Sequence, residues 1–513
     1  MPAAPKELLL PPALDLDAAI ALLRERLALE TGRAARDERV LLDTFDGRLR
    51  AAGAQAELRG GELALREDGA PVRRADVDGR RGILAADVPA GVLRTRLQAL
   101  AGPRALLPLA RVSGRVQALS VVDREAKTIA RLTIERADVV AGAQRVTLPA
   151  RLTVRPVLGY DKAHERTVAL LVDRLGFTEA DESQFDAAVR ASGGKPEGHK
   201  AKPSVALEAG MRADEAASRV LTALAEIARA NLPGARADLD PEFLHHLRTS
   251  IRRARAVLRE LKGVHAPDER AHLRDELKWA QAVTGPVRDL DVQLEDWEAL
   301  VRPLAADRAA ELAALRRVVE RRRAQERARL RRQLQGKRFS AVLRTWEALA
   351  ATPPAAPGDP DRPRADTPIG MIAGHRIRAV HRRMVRDGRA IDAASAPEAL
   401  HELRKRGKEL RYLLELFGDP FPSNVVKPLV ATLKDLQSVL GTFQDRAVQA
   451  EFLHGLADEL ASEPGGPQAL IALGPVLDVI EADQRAAREQ FSAVFASFAT
   501  PEQRKLVKGA FGR

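Results

Sequence analysis

The pattern of apolar and polar residues changes once along the chain. Before about residue 190, short strand-like runs are separated by Gly, Asp and Pro turns. The pattern predicts strands near residues 39–42, 54–59, 62–66, 118–123, 128–135, 145–148 and 152–157, and helices over 15–30 and 168–175. Many short strands at this spacing favour an antiparallel barrel or curved sheet, so we expect an α+β domain over residues 1–190.

After residue 211, apolar residues recur every three or four positions, which predicts a helical domain over residues 211–500. Residues 191–210 include a Gly, Pro and Lys-rich segment without periodicity, and we expect them to form a linker. A Pro-rich linker at 352–368 divides the helical domain into halves of about 211–350 and 369–500. The predicted helices outside the repeat described next are 211–231, ending at Pro233-Gly234, and 305–337, 369–389, 451–460 and 468–498.

One stretch of the helical region occurs twice. Residues 241–289 align without a gap on residues 397–445, and fifteen of these 49 positions are identical. Asp240 and Pro241 supply an N-cap and a proline at the first helical position, so a helix should begin there. Two related units of about four helices each indicate paired four-helix bundles with pseudo-twofold symmetry.

The two copies share most of the residues that could bind an anion. The equivalent polar pairs are His245/His401, Arg248/Arg404, Arg252/Lys408, Arg255/Arg411, Lys278/Lys434, Gln281/Gln437, Gly285/Gly441 and Asp289/Asp445. On a helix, the 3, 4, 3 spacing of the first four places them within about 80° of arc, beside an apolar stripe. Each unit should therefore present a row of cations along one helix, although Pro286 could break the next helix of the first copy.

Composition indicates an anionic partner. The 513 residues include 83 Lys and Arg against 71 Asp and Glu, a formal net charge of +12, and most of the cations are arginines, which suit bidentate phosphate contacts. The chain has no Cys, which excludes disulfides, thiolate catalysis and Cys-ligated zinc. It shows neither a signal-peptide pattern nor an apolar run near 18 residues, so we expect a cytoplasmic protein without a membrane segment.

The first domain carries a resemblance to a known family. The run VLLDTFDGRLRAAGAQAELR at 40–59 resembles a segment of CYTH domains, the triphosphate-tunnel fold of eight antiparallel strands that handles a triphosphate with a divalent metal. The opening E-x-E-x-K strand of that family corresponds here to Glu7 alone, with Leu9 and Pro11 at the other two positions. The resemblance therefore implies a degenerate tunnel kept as a scaffold, with metal-dependent triphosphatase activity as the alternative.

The helical region resembles the CHAD domain, the conserved-histidine α-helical domain. Both halves contain L-H-x-L-R-x-x-x-[RK]-x-x-R and L-K-x-x-Q-x-x-x-G-x-x-x-D at matching spacing, and the resemblance covers about residues 211–498. It implies binding of inorganic polyphosphate through basic residues, in some members at polyphosphate granules. CHAD domains often follow a CYTH domain, which is the order expected here.

The polyphosphate-binding candidates are the basic residues of the two rows and their neighbours. They are His245, Arg248, Arg252, Arg255, Lys278, His401, Arg404, Lys405, Lys408, Arg411 and Lys434. A linear polyanion needs a row of cations and little else, and its binding should weaken with salt through counter-ion release. The alternative is that the arginines form a solvated helix face with local ion pairs. The histidines could bind phosphate, orient a neighbour or lie within the bundle, and Asp289 and Asp445 could fix arginine rotamers or cap a helix.

Other chemistries find less support. We expect no catalytic residue and no cofactor. We also expect no metal site, because no H-x-x-x-H or H-E-x-x-H pair occurs. Basic segments at 316–338 and 375–389 are expected to be solubilising faces that could widen a polyanion groove. Non-specific nucleic-acid binding is a further alternative, but aromatic residues are only 4% of the chain and could hardly form a stacking platform. The sequence leaves the oligomeric state, the polyphosphate chain length and the physiological role open.

Overall fold

The computed structural model describes residues 5–67, 70–78, 82–142, 144–302 and 310–512. The chain divides into two compact units, Met1–Lys200 and Ala201–Arg513. The first unit is built on one antiparallel sheet and the second is helical. The predicted fold class, an antiparallel sheet domain followed by an all-helical region, is confirmed.

The sheet of the first unit contains eleven strands within the described residues. They are β1 (Lys6–Leu9), β2 (Leu29–Thr31), β3 (Ala35–Thr44), β4 (Ala54–Arg59), β5 (Glu62–Glu67), β6 (Arg73–Asp76), β7 (Leu106–Val122), β8 (Thr128–Ala141), β9 (Gln144–Thr147), β10 (Arg151–Pro156) and β11 (Thr178–Glu179). Their order is β11-β1-β10-β8-β7-β3-β4-β5-β6, with β2 on β7 and β9 on β8. This sheet is consistent with a tunnel fold, although it has eleven strands where the resemblance implied eight.

Alternation along β8 places apolar residues on one face of the sheet and polar residues of a charged cavity on the other. In β8, Leu132 and Ile134 are buried in an apolar cluster that also includes Leu23 and Leu171 from two covering helices. Thr133 and Glu135 alternate with these two residues and line a cavity on the opposite face, because successive side chains of a strand alternate. The helices of this unit are α1 (Leu16–Arg26), α2 (Arg48–Ala51), α3 (Val92–Ala101), α4 (Asp161–Leu175) and α5 (Gln184–Ala191), with a 3-10 turn at Ala85–Asp87.

The second unit is helical throughout. Its first half contains α6 (Ala213–Ala237), α7 (Pro241–Glu260), α8 (Pro267–Val283), α9 (Gly285–Glu295), α10 (Trp297–Val301), α11 (Ala313–Gln335) and α12 (Lys337–Ala350). The second half contains α13 (Ile369–Arg389), α14 (Pro397–Phe417), α15 (Ser423–His454), α16 (Ala457–Ala461), α17 (Gly466–Phe498) and α18 (Pro501–Ala510). The start predicted at residue 305 lies outside the described residues, and α18 was not predicted.

The predicted end of the first helix at Pro233 is wrong. Helix α6 continues through this proline to Ala237 and ends where Asp238 adopts a left-handed conformation with φ 57°. The close packing of Gly234 explains the continuation, because a Cβ there would lie 2.3 Å from the ring of Phe243 in α7. Tertiary packing of this turn against α7 therefore outweighs the backbone hydrogen bond that Pro233 cannot make.

The repeated helices begin and end as their sequences indicate. The Asp240 carboxylate accepts hydrogen bonds from the amides of Glu242 and Phe243, which caps α7 as predicted. The first copy is interrupted at Thr284, between α8 and α9, and its equivalent in the second copy is the unbroken α15. The break predicted near Pro286 is therefore present in the first copy alone.

The halves meet through pairs of positions related by the repeat. Gln449 Nε2 donates to Gln293 Oε1 at 3.5 Å, and these two residues are 156 positions apart, which is the displacement of the repeat. Arg253 Nη2 of α7 donates to Glu415 Oε2 of α14 at 3.0 Å. The repeat equivalents of that pair, Glu409 and Arg259, are close enough for Arg259 to lower the pKa of the Glu409 carboxyl, which burial raises. Position i of one half thus faces position j of the other, and the reverse, as pseudo-twofold symmetry requires.

Candidate functional site

A groove of about 370 Å³ lies between α7 and α14, where the two halves meet. We call it the central groove, and it is lined by Ala201, Lys202, His245, His246, Thr249, Arg252, Arg253, Arg404, Lys408, Arg411, Tyr412, Glu415 and Gln437. Six of these described residues are Lys or Arg, whereas Glu415 is the one carboxylate among them. The central groove is therefore a strongly positive concavity formed by both copies of the repeat.

The centre of this groove holds a pair of equivalent cations, Arg252 and Lys408. Burial, together with the charges of Arg404 and Arg252, lowers the pKa of the Lys408 ammonium from 10.5 to about 8, against the opposing effect of Asp445. Within the described ranges, no acceptor lies within hydrogen-bond distance of Lys408 Nζ, and the buried Nε of Arg252 also lacks one. The positive charge at this point is incompletely compensated by the protein itself.

One carboxylate organises the end of the groove. Glu415 accepts from Arg411 Nε at 2.7 Å through one oxygen and from Arg253 Nη2 at 3.0 Å through the other. Arg411 also donates to Gln437 Oε1 at 3.3 Å. Glu415 therefore holds one arginine from each half, and it fixes the rotamer of Arg411 at the groove wall.

The equivalent arginines Arg248 and Arg404 have different partners. Arg248 Nη1 donates to Gln281 O and to Thr284 Oγ1, both at 2.9 Å, because the break at Thr284 makes this carbonyl available. Burial lowers the pKa of Arg248 to about 10, so it still carries its charge at neutral pH. Arg404 lies against the unbroken helix and donates instead to Asp445 Oδ1 at 2.9 Å.

Both copies nevertheless keep the same local arrangement of glycine, arginine and aspartate. A Cβ at Gly285 would lie 3.5 Å from Arg248 Nη1, and one at Gly441 would lie 3.8 Å from Arg404 Nη2. The carboxylate of the repeated aspartate approaches the same two positions, at 4.0 Å and 3.9 Å respectively. The repeated glycines therefore lie beside a guanidinium and a carboxylate in each half.

The helical fold and its repeat are those of a described family. The family model for the CHAD domain matches residues 219–454, which contain both copies of the repeat. This region is a CHAD domain. The sequence resemblance to that family is confirmed.

Two curated relatives share part of this chain. They are the uncharacterized proteins Rv2226 and MT2285 of Mycobacterium tuberculosis, from strains H37Rv and CDC 1551, and each is 27% identical over 215 residues. The match covers 41% of this chain and 40% of each relative, so the chain spans about two fifths of their length.

Two solved structures are similar to the chain. The CHAD domain from the plant Ricinus communis is 23% identical with a TM-score of 0.48, over 58% of this chain and 95% of that one. PptA from Streptomyces chartreusis is 21% identical with a TM-score of 0.43, over 55% of this chain and 99% of that one.

The CHAD domain brings only some of the predicted binding residues into the central groove. His245, Arg252, Arg404, Lys408 and Arg411 line it. The predicted residues that lie outside its lining are Arg248, Arg255, Lys278, His401, Lys405 and Lys434. The lysines of this second set are exposed on the helix surfaces, and Lys405 Nζ donates to Glu402 at 2.7 Å.

The repeated histidines differ in their surroundings. His245 lines the groove, with its ring 5.3 Å from that of His246 in an edge-on arrangement. His401 lies on α14, and its Nδ1 is 2.8 Å from Gln444 Oε1, a contact that orients the ring. Across the described parts of the chain, no group of three His, Asp or Glu residues is arranged to hold a metal ion.

Sequence reasoning missed several residues of the groove. Lys202 comes from the segment before the helical domain, so no spacing rule connects it with α7. Arg253 and Glu415 gave no signal because neither is kept between the copies, where their equivalents are Glu409 and Arg259. Gln437, in contrast, belongs to the repeated motif and could have been included for that reason.

Many arginines of α11 form ion pairs with carboxylates from other parts of the helical unit. Arg323 binds Asp238 and Asp291, with its Nε 2.6 Å from the Asp291 carboxylate. Arg321 and Arg322 both bind Glu459 of the second half. These arginines join helices, so their ion pairs account for much of this positive run without a ligand.

The first unit has a charged cavity of its own, with a volume of about 430 Å³. Its carboxylates are engaged by arginines: Glu135 binds Arg39 at 2.8 Å, and Glu57 binds Arg66 at 2.8 Å. Glu7, which was compared with the family's opening strand, accepts from Arg151 Nη1 at 2.9 Å. Arginine pairing thus occupies carboxylates that a metal ion would need.

No helix in the described ranges combines the length and apolar character that crossing a membrane requires.

Proposed function

We propose that the CHAD domain binds inorganic polyphosphate in the central groove. The observation that carries the proposal is the meeting of Arg252 and Lys408, equivalent cations of the two halves, in one concavity with a single lining carboxylate. Burial, followed by the charges of Arg404 and Arg252, lowers the pKa of Lys408 to about 8, so repulsion between the cations is part of this effect. An anion placed between them would relieve this repulsion.

Polyphosphate suits the groove better than a nucleic acid does. Its chain is flexible and carries negative charge at each phosphate, so it needs neither base recognition nor stacking. Tyr412 is the one Phe, Tyr or Trp residue among the described lining residues, whereas single-stranded nucleic acids are usually held by several stacked aromatic rings. Arginine forks such as Arg404 and Arg411 can bind phosphate oxygens in pairs.

Predicted binding residues outside the groove would have a weaker role, which is to attract the polyanion to the surface. Lys278 and Lys434 are exposed on α8 and α15, and Arg255 lies beside Arg259 and Arg274, which lower its pKa further after burial has lowered it. Such groups would attract a polyanion through the field at the surface and carry the parts of a long chain that leave the groove.

The test compares two double variants with equal loss of charge. R252A/K408A removes the central pair, whereas K278A/K434A removes two exposed lysines and is the matched control. We expect the first to weaken binding of long-chain polyphosphate at least about tenfold, and the control to weaken it less than about twofold. Circular dichroism would verify that both variants keep their helicity. Equal effects of the two variants would refute the groove as the binding site.

Competition at two salt concentrations would address the alternative partner. Labelled polyphosphate should be displaced by unlabelled polyphosphate at lower concentration than by single-stranded RNA or duplex DNA of equal phosphate content. A nucleic acid that competes equally well would favour a general polyanion binder. In cells, a fluorescent fusion is expected to collect at polyphosphate granules, and its R252A/K408A form should be diffuse.

A further inference from the structure

Lys408 differs from the other lysines of the repeat in being a cation that can readily lose its proton. Its pKa near 8 leaves about a tenth of the side chains as the neutral amine at neutral pH, whereas an ordinary lysine has far less than about one in a thousand. The neutral amine is the nucleophilic form of lysine. The groove thus presents an amine with unusual readiness to react.

The surroundings of Lys408 are suited to hold a phosphate next to that amine. Arg404 lies one helical turn before it on α14, and Arg252 faces it from α7. The Nε of Arg252 and the Nε2 of Gln437 are buried donors without a partner among the described residues. A small phosphorylated molecule would find donors on both sides of Lys408.

Other charged and titratable groups also face this position. They are Lys202, His245, His246, Arg253, Arg411, Tyr412 and Glu415 among the lining residues, and Asp445 from α15. Glu415 is already bound to two arginines, and Asp445 binds Arg404. Among the described residues, both carboxylates pair with arginines instead of Lys408, so Asp445 acts on the ammonium only as a nearby charge.

We propose that Lys408 is a modification site at which the groove accepts the acyl group of small acyl phosphates. The inference rests on the proposed function, because the same guanidinium groups that would hold polyphosphate hold the phosphate of the donor. The lone pair of Nζ attacks the carbonyl carbon and forms a C–N bond. The bond from that carbon to the phosphate oxygen breaks, inorganic phosphate leaves with the electron pair, and the proton from nitrogen passes to solvent.

The modification would regulate the groove. An amide at Lys408 carries no positive charge, so the central pair is reduced to Arg252 alone and polyphosphate affinity falls. Bound polyphosphate would in turn protect Lys408, both by filling the groove and by keeping the amine protonated. Acylation and polyphosphate binding therefore exclude each other at this residue.

The experiment uses the full chain and acetyl phosphate as the probe, with site occupancy measured by mass spectrometry over time. Lys405 and Lys434 of the same molecule are internal comparators, because both are exposed lysines of the second half. We expect the initial rate at Lys408 to be at least about tenfold higher than at either comparator. With acetic anhydride, an uncharged donor, this preference should shrink, because the anhydride has no phosphate for the arginines to hold.

Two results would overturn the inference. One is an acetylation rate at Lys408 equal to or below that of Lys405. The other is an unchanged rate of acetylation by acetyl phosphate in R252Q, a variant that removes the facing guanidinium. Polyphosphate separates this inference from the proposed function: binding without preferential acetylation refutes the inference alone. The acetylation would also be measured with polyphosphate present. If Lys408 is acetylated preferentially and polyphosphate does not slow the reaction, the result would count against the proposed function and leave the acylation site standing.

Discussion

The proposed binding of polyphosphate should depend on pH through a single side chain. Lys408 has a pKa near 8 in the empty groove, against 10.5 for an ordinary lysine, because it is buried beside Arg404 and Arg252. An anion in the groove would reverse these effects and raise the pKa again. Binding at alkaline pH must therefore take up a proton, which lowers the apparent affinity.

The size of the effect can be worked out from the two pKa values. If the pKa returns to its ordinary value in the complex, the affinity falls about tenfold between about pH 7 and about pH 9, equivalent to about 1.4 kcal/mol. Loss of the fold is not the cause over this range. The depressed pKa means that the unfolded chain binds more protons than the folded one between about pH 8 and about pH 10.5, so this residue raises the free energy of unfolding as pH rises.

The assay is a binding titration with long-chain polyphosphate at several pH values and constant salt. K408R keeps a cation that stays charged over the whole range, so its affinity should change less than about twofold. K434R is the matched control, because this exposed lysine lies outside the groove, and its profile should follow that of the unmodified chain. A tenfold fall that persists in K408R, or no fall in the unmodified chain, would refute the reasoning.

Three further predictions concern the CHAD domain and its charges. E415Q should lower the free energy of unfolding in urea by about 1–3 kcal/mol, because Arg253 and Arg411 both lose their carboxylate, whereas E402Q at the exposed surface should cost less than about 0.5 kcal/mol. Burial lowers the pKa of His381 to about 4, so stability should fall by up to about 3 kcal/mol as pH drops from about 6.5 to about 4, and thermal melts of H381L should show a smaller fall. For the four predicted cations that line the groove (Arg252, Arg404, Lys408 and Arg411), the slope of log affinity against log salt should be about −3. In R252A/K408A the slope should be shallower by about 1.4; an unchanged slope would contradict the counter-ion account.

The sequence predicted local features of the fold well wherever short-range chemistry decides them. The strand Ala54–Arg59 and the helix Ile369–Arg389 have the predicted bounds, because each lies between clear turn or proline signals. The end of α6 was wrong since packing of Gly234 against Phe243 depends on a helix further along the chain. The helix propensity of a single residue cannot predict a contact with a residue of another helix.

The candidate site was predicted in part, and the reason is geometric. Repetition identified Arg252, Arg404 and Lys408, but it could not tell which cations would face the other half and which would face solvent. The different partners of Arg248 and Arg404 accompany the helix break of the first copy, where Thr284 and Pro286 stand in place of Leu440 and Thr442. The charged residues between the two halves could not be predicted from the repeat. A repeat identifies positions that are the same in both copies, and these positions differ between them.

Those changed positions determine which half can associate with which. At two equivalent sites the first half has Arg253 and Arg259, and the second half has Glu409 and Glu415. Two first halves placed in this arrangement would set arginine against arginine, and two second halves would set glutamate against glutamate; only the mixed pair brings opposite charges together. The charges of this surface therefore favour the pairing of a first half with a second half over the pairing of two like halves. In the structure, the two halves that pair belong to one chain, so a polyanion that entered the central groove would meet residues of both halves at fixed positions.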